Sequence, residues 1–374
     1  MTTLHIAMFS DTYLPYVSGA VRSIERLSEG LRERGHEVTI FAPAYWNCHQ
    51  PQIPNVQRTL SLPIYPPANI VLPLPRPHFT LQRAQQLGID VIHAHSPATM
   101  GRTAIYVARH LSVPVLFTHH SVYHEYACYA PTPLQPLVAR SLWRWMANFC
   151  HQVDQVIAPS ANTQELIHLH YGLASTVISN PIPLAENNNS TAAKDLECPI
   201  LLYVGRLAKE KNLSLLIRTF AEVRSSRAAH LVLVGDGPER KPLAEKVNAL
   251  GLQNDVTFTG VLPFEQVVHW YAKAALFMFA STKETQGMVI LEALAHGVPA
   301  IAVRSPVNQE VLEPAKAGWL TKDDPTDMAA ITLNALSNAT ALQEIANRGR
   351  SYASRFTTTS VAAQMEDLYT SLLS

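Results

Sequence analysis

The chain has 374 residues, of which 47% are apolar and 16% charged, a composition that excludes a disordered protein. Its formal net charge is zero, so the basic surplus of a typical nucleic-acid-binding protein is missing and no nucleic-acid partner is expected. A chain of this length usually folds as two domains of about 180 residues each.

Nothing in the sequence predicts export, membrane spanning or metal binding. Residues 1–15 lack the cationic start and apolar core of a signal peptide, and no apolar run is long enough to cross a bilayer. The four cysteines, at positions 48, 128, 150 and 198, have no spacing typical of a zinc or redox motif. We expect a cytoplasmic protein without a cofactor. The sequence is silent on its oligomeric state.

In the first half of the chain, short apolar runs without alternation predict the strands of a parallel sheet that is covered on both faces. Amphipathic stretches at 20–34 and 102–110 separate these runs and predict helices. The predicted strands are His5–Phe9, Val38–Phe41, Asp90–His93, Val113–Thr118 and Gln155–Ala158.

The second half repeats this pattern, and after residue 325 it becomes purely helical. The predicted strands are Ile200–Val204, Leu231–Val234, Val256–Phe258, Leu276–Phe279 and Ala300–Val303, with helices near 212–224, 239–250, 264–272 and 287–296. We therefore predict two doubly wound α/β domains that face each other across a ligand-binding cleft.

The domain boundaries follow from composition, because residues 181–199 are polar and rich in proline and asparagine. We predict a first domain over 1–180, a linker over 181–198 and a second domain over 199–355. A C-terminal helix over 356–374 is long enough to return to the first domain.

Glu284 and Glu292 are the strongest candidate site residues of the second half. Glu284 follows a predicted buried strand, and Glu292 lies eight residues later inside an apolar helix. Glu292 either emerges on a solvent face or is buried, where a hydroxyl pair of a ligand would be a suitable partner. Gly287 permits a tight turn into the helix, so that backbone N–H groups of residues 285–288 are available as donors.

A second candidate segment, Val204–Asn212, follows the first strand of the second domain. Gly205 permits close approach of a ligand, and Arg206 and Lys211 are two cations able to neutralise a departing diphosphate. The alternative is an ordinary solvated run of charges.

Gly19 opens the helix after the first strand and offers a weaker phosphate-binding signal at its N-terminus. The G-x-G-x-x-G and G-x-x-x-x-G-K-[ST] patterns are absent, which argues against a nicotinamide enzyme and a P-loop nucleotidase.

Histidines cluster after the fourth predicted strand, at His119, His120 and His124, with Glu125 beside them. The H-E-x-x-H pattern of a helical zinc site is absent, so we favour a polar cluster in the cleft over a metal site. In this interpretation one histidine hydrogen-bonds a hydroxyl or carbonyl of the substrate.

Taken in order along nearly the whole chain, these segments resemble the family 4 glycosyltransferases of the GT-B fold. The E-x7-E pattern of that family corresponds to Glu284 and Glu292, and its G-R-x-x-x-x-K pattern corresponds to Gly205, Arg206 and Lys211. Ser18 departs from the pattern, since the family usually has a second glycine there.

The resemblance implies a role for each of these residues. Glu284 would contact the donor sugar and Glu292 the ribose, while Arg206 and Lys211 would contact the diphosphate and His120 would lie by the reacting sugar. Backbone groups of Thr285, Gln286, Gly287 and Met288 would bind sugar hydroxyls, and Gly19 would approach the phosphate. It also implies retention at the anomeric carbon without a metal ion.

Within the family, the tyrosine-rich segment 119–129 and the sequence Glu284–Gly287 look like the diacylglycerol glycosyltransferase branch. This implies UDP-glucose or UDP-galactose as co-substrate and a lipid acceptor, with the protein peripheral on the cytoplasmic side of a membrane. The apolar segment Leu62–Phe79 and the segment Pro133–Cys150 are candidate interfacial surfaces. Acceptor or membrane contacts are expected from Tyr123, Tyr126, Arg140, Trp143, Arg144 and Trp145.

Three alternatives stay open. The segment Pro133–Cys150 is equally well explained as a helix packed on the first domain. The same chemistry on a soluble sugar or metabolite is the main functional alternative, and a nucleotide-sugar epimerase or a non-catalytic sugar-nucleotide-binding protein is more remote.

Overall fold

The computed structural model describes residues 3–45, 53–65, 70–183 and 196–373. Its backbone forms two compact units, Met1–Ile182 with Phe356–Ser374 and Pro183–Arg355. Each unit is built on a parallel β-sheet flanked by helices, so the predicted α/β fold class is confirmed.

The first unit contains a seven-stranded parallel sheet and a separate antiparallel hairpin, β4–β5. The sheet has the order β3-β2-β1-β6-β7-β8-β9, in which the first strand lies near the centre. The strands are β1 His5–Phe9, β2 Glu37–Pro43, β3 Val56–Thr59, β4 Ser61–Tyr65, β5 Ile70–Pro73, β6 Val91–Ala94, β7 Val115–Thr118, β8 Gln155–Ala158 and β9 Thr176–Val177.

Apolar side chains cover both faces of this sheet. Ala7 and Phe9 of β1 belong to one buried cluster, whereas Ile6 and Met8 belong to another, because successive residues of a strand point to opposite faces. The helices in this part of the chain are α1 Gly19–Glu33, α2 Pro77–Leu87, α3 Thr99–Leu111, α4 Gln135–Cys150 and α5 Ala161–Tyr171.

The second unit repeats the architecture with a six-stranded parallel sheet of order β12-β11-β10-β13-β14-β15. Its strands are β10 Ile200–Val204, β11 His230–Val234, β12 Val256–Gly260, β13 Ala274–Phe279, β14 Ala300–Val303 and β15 Gly318–Thr321. Its helices are α6 Leu213–Ser226, α7 Arg240–Ala249, α8 Phe264–Lys273, α9 Met288–Ala295, α10 Pro306–Ala315, α11 Pro325–Leu336 and α12 Ala339–Ala353.

The last helix, α13 Thr358–Leu373, belongs to the first unit. Met365 and Tyr369 are buried in the same cluster as the apolar face of α1. Glu366 forms an ion pair with Arg34 at the end of that helix, and its Oε1 lies 3.4 Å from Nε2 of His36. The chain end is therefore an integral layer of the first unit.

Sequence reasoning missed the strands β3, β4, β5, β9 and β15. The hairpin contains Pro63 and Pro73, which lack the N–H of a ladder and hide the strand pattern, and β9 has two residues only. Part of the predicted apolar segment, residues 66–69, lies outside the described residues, as do residues 184–195 of the predicted linker.

In the described part of the chain, no helix combines the length and hydropathy that crossing a bilayer requires.

Candidate active site

Two glycines shape the loop after β10. Gly205 has φ of 152°, and a Cβ on Gly235 would lie 2.0 Å from the carbonyl oxygen of Gly205. The loops after β10 and β11 therefore approach at a distance that excludes any side chain at position 235. The buried Tyr203 hydroxyl donates to the carbonyl oxygen of Arg206 at 3.0 Å and holds the turn that carries this exposed arginine.

Lys211 and Glu284 meet at the carboxyl ends of two neighbouring strands, β10 and β13. Lys211 lies in a 3₁₀ turn, and its Nζ donates to Oε1 of Glu284 at 2.6 Å. The side chains are 21% and 18% exposed, so the pair is partly screened from water and still accessible to a ligand. The structure thus brings together one predicted cation and one predicted carboxylate.

Gly287 is the residue before α9 and adopts a left-handed conformation, with φ of 74° and ψ of 44°. As the N-cap, Gly287 has no side chain with which to cap the helix, and the first backbone N–H groups of any helix lack an intrahelical partner. Thr285 and Met288 are half-buried beside it, and the Gln286 side chain is buried. The predicted tight helix entry is therefore present in the structure.

Glu292 is buried within α9, with 8% of its surface exposed. Its Oε2 accepts from the Tyr271 hydroxyl at 3.5 Å, and Tyr271 stacks on His296 at 4.9 Å. Of the two readings of this residue, the buried one is correct. A carboxylate offers several acceptor positions, so more than one hydroxyl group can donate to it.

Gly19 is the exposed first residue of α1. Ser18, the departure from the family pattern, adopts an extended conformation and its hydroxyl accepts from the backbone N–H of Val21 at 3.3 Å. The serine therefore serves as the N-cap of α1, a role for which serine is among the preferred residues.

His120 is half-buried at the end of β7 and lies in a polar network. Its Nε2 lies 2.9 Å from Nδ1 of His95, and a second hydrogen bond joins it to the side chain of Asn180. Asn180 in turn accepts from the Ser23 hydroxyl at 2.7 Å. Three elements of the first unit therefore hold this ring.

Three neighbours of His120, the histidines His93, His95 and His119, are buried and neutral. His93 lies 2.7 Å from the Tyr369 hydroxyl and 2.7 Å from the Thr118 hydroxyl, and its ring packs against that of His95 in a tilted arrangement, with centroids 4.1 Å apart. Burial lowers the pKa of His93 and of His120 to about 3, and that of His119 to about 4. Burial and the neighbouring imidazoles also lower the pKa of His95.

The remaining predicted metal-ligand candidates point to separate partners. His119 lies 2.9 Å from the Tyr171 hydroxyl, while His124 stacks on Trp143 at 3.9 Å and lies 3.6 Å from Glu125. Among the residues that the structure describes, no three His, Cys, Asp or Glu side chains form a group suited to a metal ion.

The two tryptophans of α4 belong to the packing of the first unit. Trp143 lies between His124 and His170, with ring centroids 3.9 Å away on each side, and Trp145 packs edge-on against Tyr123 at 5.7 Å. The helix-packing interpretation therefore holds for these indoles. They are half-buried in this packing, and their predicted contact with an acceptor or a membrane stays a prediction.

Exposed apolar side chains of the first unit concentrate in two places. One is the hairpin region, where six large apolar side chains are at least 38% exposed, and the other surrounds the start of α4, where Arg140 and Arg144 are exposed too. The first group is Leu60, Leu62, Ile64, Leu72, Leu74 and Phe79, and the second is Tyr126, Leu134 and Leu137.

Both units of the chain match models of known protein families. Residues 17–186 match the family model Glycosyltransferase Family 4, and residues 185–352 match Glycosyl transferases group 1. An alpha-monoglucosyldiacylglycerol synthase of Streptococcus pneumoniae is 30% identical over 89% of this chain and 78% of its own length. The chain belongs to the family 4 glycosyltransferases.

Two further relatives have different names. The alpha-monoglucosyldiacylglycerol synthase of Acholeplasma laidlawii is 28% identical over 84% of both chains. A GDP-mannose-dependent alpha-mannosyltransferase of Mycobacterium tuberculosis is also 28% identical, over 86% of this chain and 84% of its own.

Solved structures of the same fold cover the whole chain. A sucrose-phosphate synthase from Thermosynechococcus elongatus has a TM-score of 0.79 at 21% identity and covers 99% of both chains. Anabaena HepE in complex with UDP and glucose has a TM-score of 0.75 at 20% identity, with 99% and 100% of the two chains covered. The GT-B fold of this glycosyltransferase is thereby confirmed.

Sequence reasoning missed three residues next to the predicted ones: Tyr203, His95 and Asn180. Burial, followed by the charges of Glu284 and Glu210, raises the pKa of Tyr203, so its hydroxyl stays a donor to the β10 loop. His95 and Asn180 come together with His120 only through the sheet. The H-x-H pattern at the end of β6 was the one available signal.

We expect the free energy of unfolding of this glycosyltransferase to fall as the pH is lowered from 7 to 5. The pKa values of buried His93 and His119, about 3 and about 4, lie below the ordinary value of 6.5. Below pH 6.5 the unfolded chain therefore binds more protons than the folded chain, and stability decreases toward the folded-state pKa. At pH 5 each such ring removes on the order of 2 kcal/mol.

Urea unfolding followed by tryptophan fluorescence at the two pH values measures this loss. His119→Gln should make the loss smaller, whereas His168→Gln, on an exposed histidine of α5, should leave it unchanged. Equal unfolding free energies at pH 7 and pH 5 would contradict the burial of neutral rings.

Proposed function

We propose that this glycosyltransferase transfers glucose or galactose from a UDP-sugar to a membrane lipid, diacylglycerol or monoglycosyldiacylglycerol, with retention at the anomeric carbon and without a metal ion. The observation that carries the proposal is the Lys211–Glu284 pair, with Arg206 in the same loop after β10. It supplies a fixed cation for a diphosphate and a carboxylate for the hydroxyls of a sugar.

The charge of the leaving group is the first requirement of the reaction. Arg206 and Lys211 follow the same strand, and the N-terminus of α9 adds backbone N–H donors with the positive end of the helix dipole. In the proposed mechanism these groups stabilise the departing UDP, a task that Mg²⁺ performs in many phosphate-transferring enzymes.

Retention requires either a nucleophilic carboxylate or attack by the acceptor on the face that the leaving group occupies. Asp11 follows β1 in the same unit as His120, but its carboxylate accepts from Thr99 Oγ1 at 3.0 Å and from the backbone N–H of Met100 at 2.9 Å. This acid is committed to the N-terminus of α3. We therefore favour front-face attack by the acceptor hydroxyl.

Two observations support a lipid acceptor. Two relatives are named as alpha-monoglucosyldiacylglycerol synthases. The hairpin region of the first unit also presents exposed apolar side chains, and no acidic residue occurs between Glu37 and Asp90. An apolar surface without negative charge suits the interface of a membrane.

GDP-mannose is the second candidate donor, because other relatives are named as GDP-mannose-dependent alpha-mannosyltransferases. Labelled UDP-glucose, UDP-galactose and GDP-mannose, each tested with diacylglycerol vesicles and with soluble acceptors, separate the candidates. Transfer from GDP-mannose alone, or to a soluble acceptor alone, would overturn the corresponding part of the proposal.

We expect Lys211→Ala and Arg206→Ala to lower kcat by about 100-fold or more, since each removes a charge aimed at the departing diphosphate. The measurement is release of UDP from the UDP-sugar in the presence of acceptor. Circular dichroism and the urea midpoint check that the fold is retained.

Lys209→Ala is the matched control, because Lys209 is exposed in the same 3₁₀ turn as Lys211. It should leave kcat within about threefold, as exposed charges contribute little. Turnover at the wild-type level in Lys211→Ala and Arg206→Ala would remove these residues from the leaving-group role.

We further expect the protein to sediment with lipid vesicles, and Leu62→Glu combined with Ile64→Glu to weaken this binding by about tenfold or more. These two side chains are 54% and 60% exposed on alternate positions of β4, so both leave water when the hairpin enters an interface. Binding should survive moderate salt, because the attraction is mainly apolar.

Leu169→Glu serves as control, since this leucine is 68% exposed on α5 of the same unit. Vesicle binding should be unchanged in that variant. Absence of co-sedimentation with both neutral and anionic vesicles would argue for a soluble acceptor and leave the glycosyltransferase assignment intact.

A further inference from the structure

His95 is a buried histidine to which no role has been given so far. It follows β6, it is 2% exposed, and its Nδ1 lies 2.9 Å from Nε2 of His120. Its other ring nitrogen, Nε2, is buried and has no hydrogen-bond partner within the described structure. The ring therefore makes a single polar contact, and that contact is with His120.

The position of His95 is fixed by its contact with His93 of β6. Its ring packs against that of His93 at a tilt of 33°, with centroids 4.1 Å apart, and both nitrogens of His93 are occupied, by the hydroxyls of Tyr369 and Thr118. His93 cannot turn without breaking one of these contacts, so His95 is held in place by a neighbour that is itself fixed.

The unpartnered nitrogen decides which histidine is the donor. If His120 donated from Nε2, His95 would carry its proton on Nε2, as a buried N–H without an acceptor. If His95 donates from Nδ1, its Nε2 is an unprotonated acceptor. An orphaned buried N–H is the rarer and costlier arrangement, so the second tautomer is favoured.

We propose that His95 is a positioning residue, which donates from Nδ1 to Nε2 of His120 and thereby keeps His120 neutral with its proton on Nδ1. A hydrogen bond donated to a ring nitrogen opposes protonation of that nitrogen. The side chain of Asn180 also hydrogen-bonds the His120 ring. A neutral ring that accepts at Nε2 carries its one N–H on Nδ1.

The consequence for catalysis rests on the proposed function, in which His120 lies beside the reacting sugar. Positive charge develops on that sugar in an oxocarbenium-like transition state. A second positive charge on His120 would raise the barrier, whereas a neutral ring held between His95 and Asn180 adds no charge beside the sugar. His95 would thus protect the neutral form.

The tautomer is measured directly by long-range ¹H–¹⁵N correlation spectroscopy of the full-length, ¹⁵N-histidine-labelled protein without substrate. We expect an unprotonated Nε2 on His120 and on His95, and protonated Nδ1 atoms on both. Signals are assigned from His95→Leu and His120→Asn. Wild-type protein with the His120 proton on Nε2 would overturn the proposal, and this result does not depend on any donor or acceptor.

Activity provides the second measurement, with His95→Leu and His95→Asn as a pair, because an asparagine amide can replace an imidazole Nδ1–H. His95→Leu should lower kcat by about tenfold, the value of one hydrogen bond, with the donor KM within about twofold. The acid limb of its kcat profile should move to higher pH. His95→Asn should restore kcat to within about threefold of wild type and leave the acid limb in place.

The titratable groups around His120 are His119, His93, His95 and the Tyr369 hydroxyl, which all remain in His95→Asn except His95 itself. Equal loss of kcat in the two variants with an unchanged pH profile would show a purely structural role and overturn the inference. Absence of transfer by the wild-type protein with every donor would instead count against the proposed function, and the tautomer measurement would still decide the role of His95.

Discussion

The ion pair between Lys211 and Glu284 is the interaction on which the proposed donor site depends. It joins the loops that follow two neighbouring strands of the second unit, and the glycine contacts after β10 and β11 fix the backbone beneath it. A lysine without a partner at this depth would lose solvation, and the carboxylate compensates for that loss. Both groups change partners under the proposed function: the cation turns to phosphate and the carboxylate to hydroxyls.

The first unit is organised on a different principle, the burial of uncharged polar rings. His93 and His95 lie in the sheet layer, and the hydroxyls of Thr118 and Tyr369 lie within hydrogen-bond distance of the His93 ring. The chain end takes part because Tyr369 comes from α13. The hydrogen bonds of such a cluster hold the rings in fixed orientations, and the cluster carries no net charge. This suits a site that is proposed to face a sugar on which positive charge develops.

The sequence predicted the α/β fold and its central strands well because parallel strands that are covered on both faces are continuous apolar runs, as in β1 and β10. The hairpin β4–β5 escaped prediction because prolines hide its pattern. Glu284, Glu292, Lys211 and Gly287 were recognisable from spacing. His95 and Asn180 were not recognisable. His95 reaches His120 only through strand pairing, and Asn180 lies in a segment some 60 residues further along the chain.

The tryptophans of α4 show a further limit of sequence reasoning. Trp143 and Trp145 share their helix with Arg140 and Arg144, a mixture that is typical of both interfacial and packed helices. Composition does not reveal which face of a helix is covered. Here the covering groups are His124, His170 and Tyr123, and they come from other segments.

The most direct test of the account is the anomeric configuration of the product formed in excess EDTA. Purified protein, UDP-glucose and diacylglycerol vesicles are incubated with the chelator, and the glycolipid is analysed by ¹H NMR of its anomeric proton. The account predicts an α-linked glucosyl lipid, formed at an undiminished rate. A β-linked product, or transfer that stops in EDTA and returns with Mg²⁺ or Mn²⁺, would contradict it.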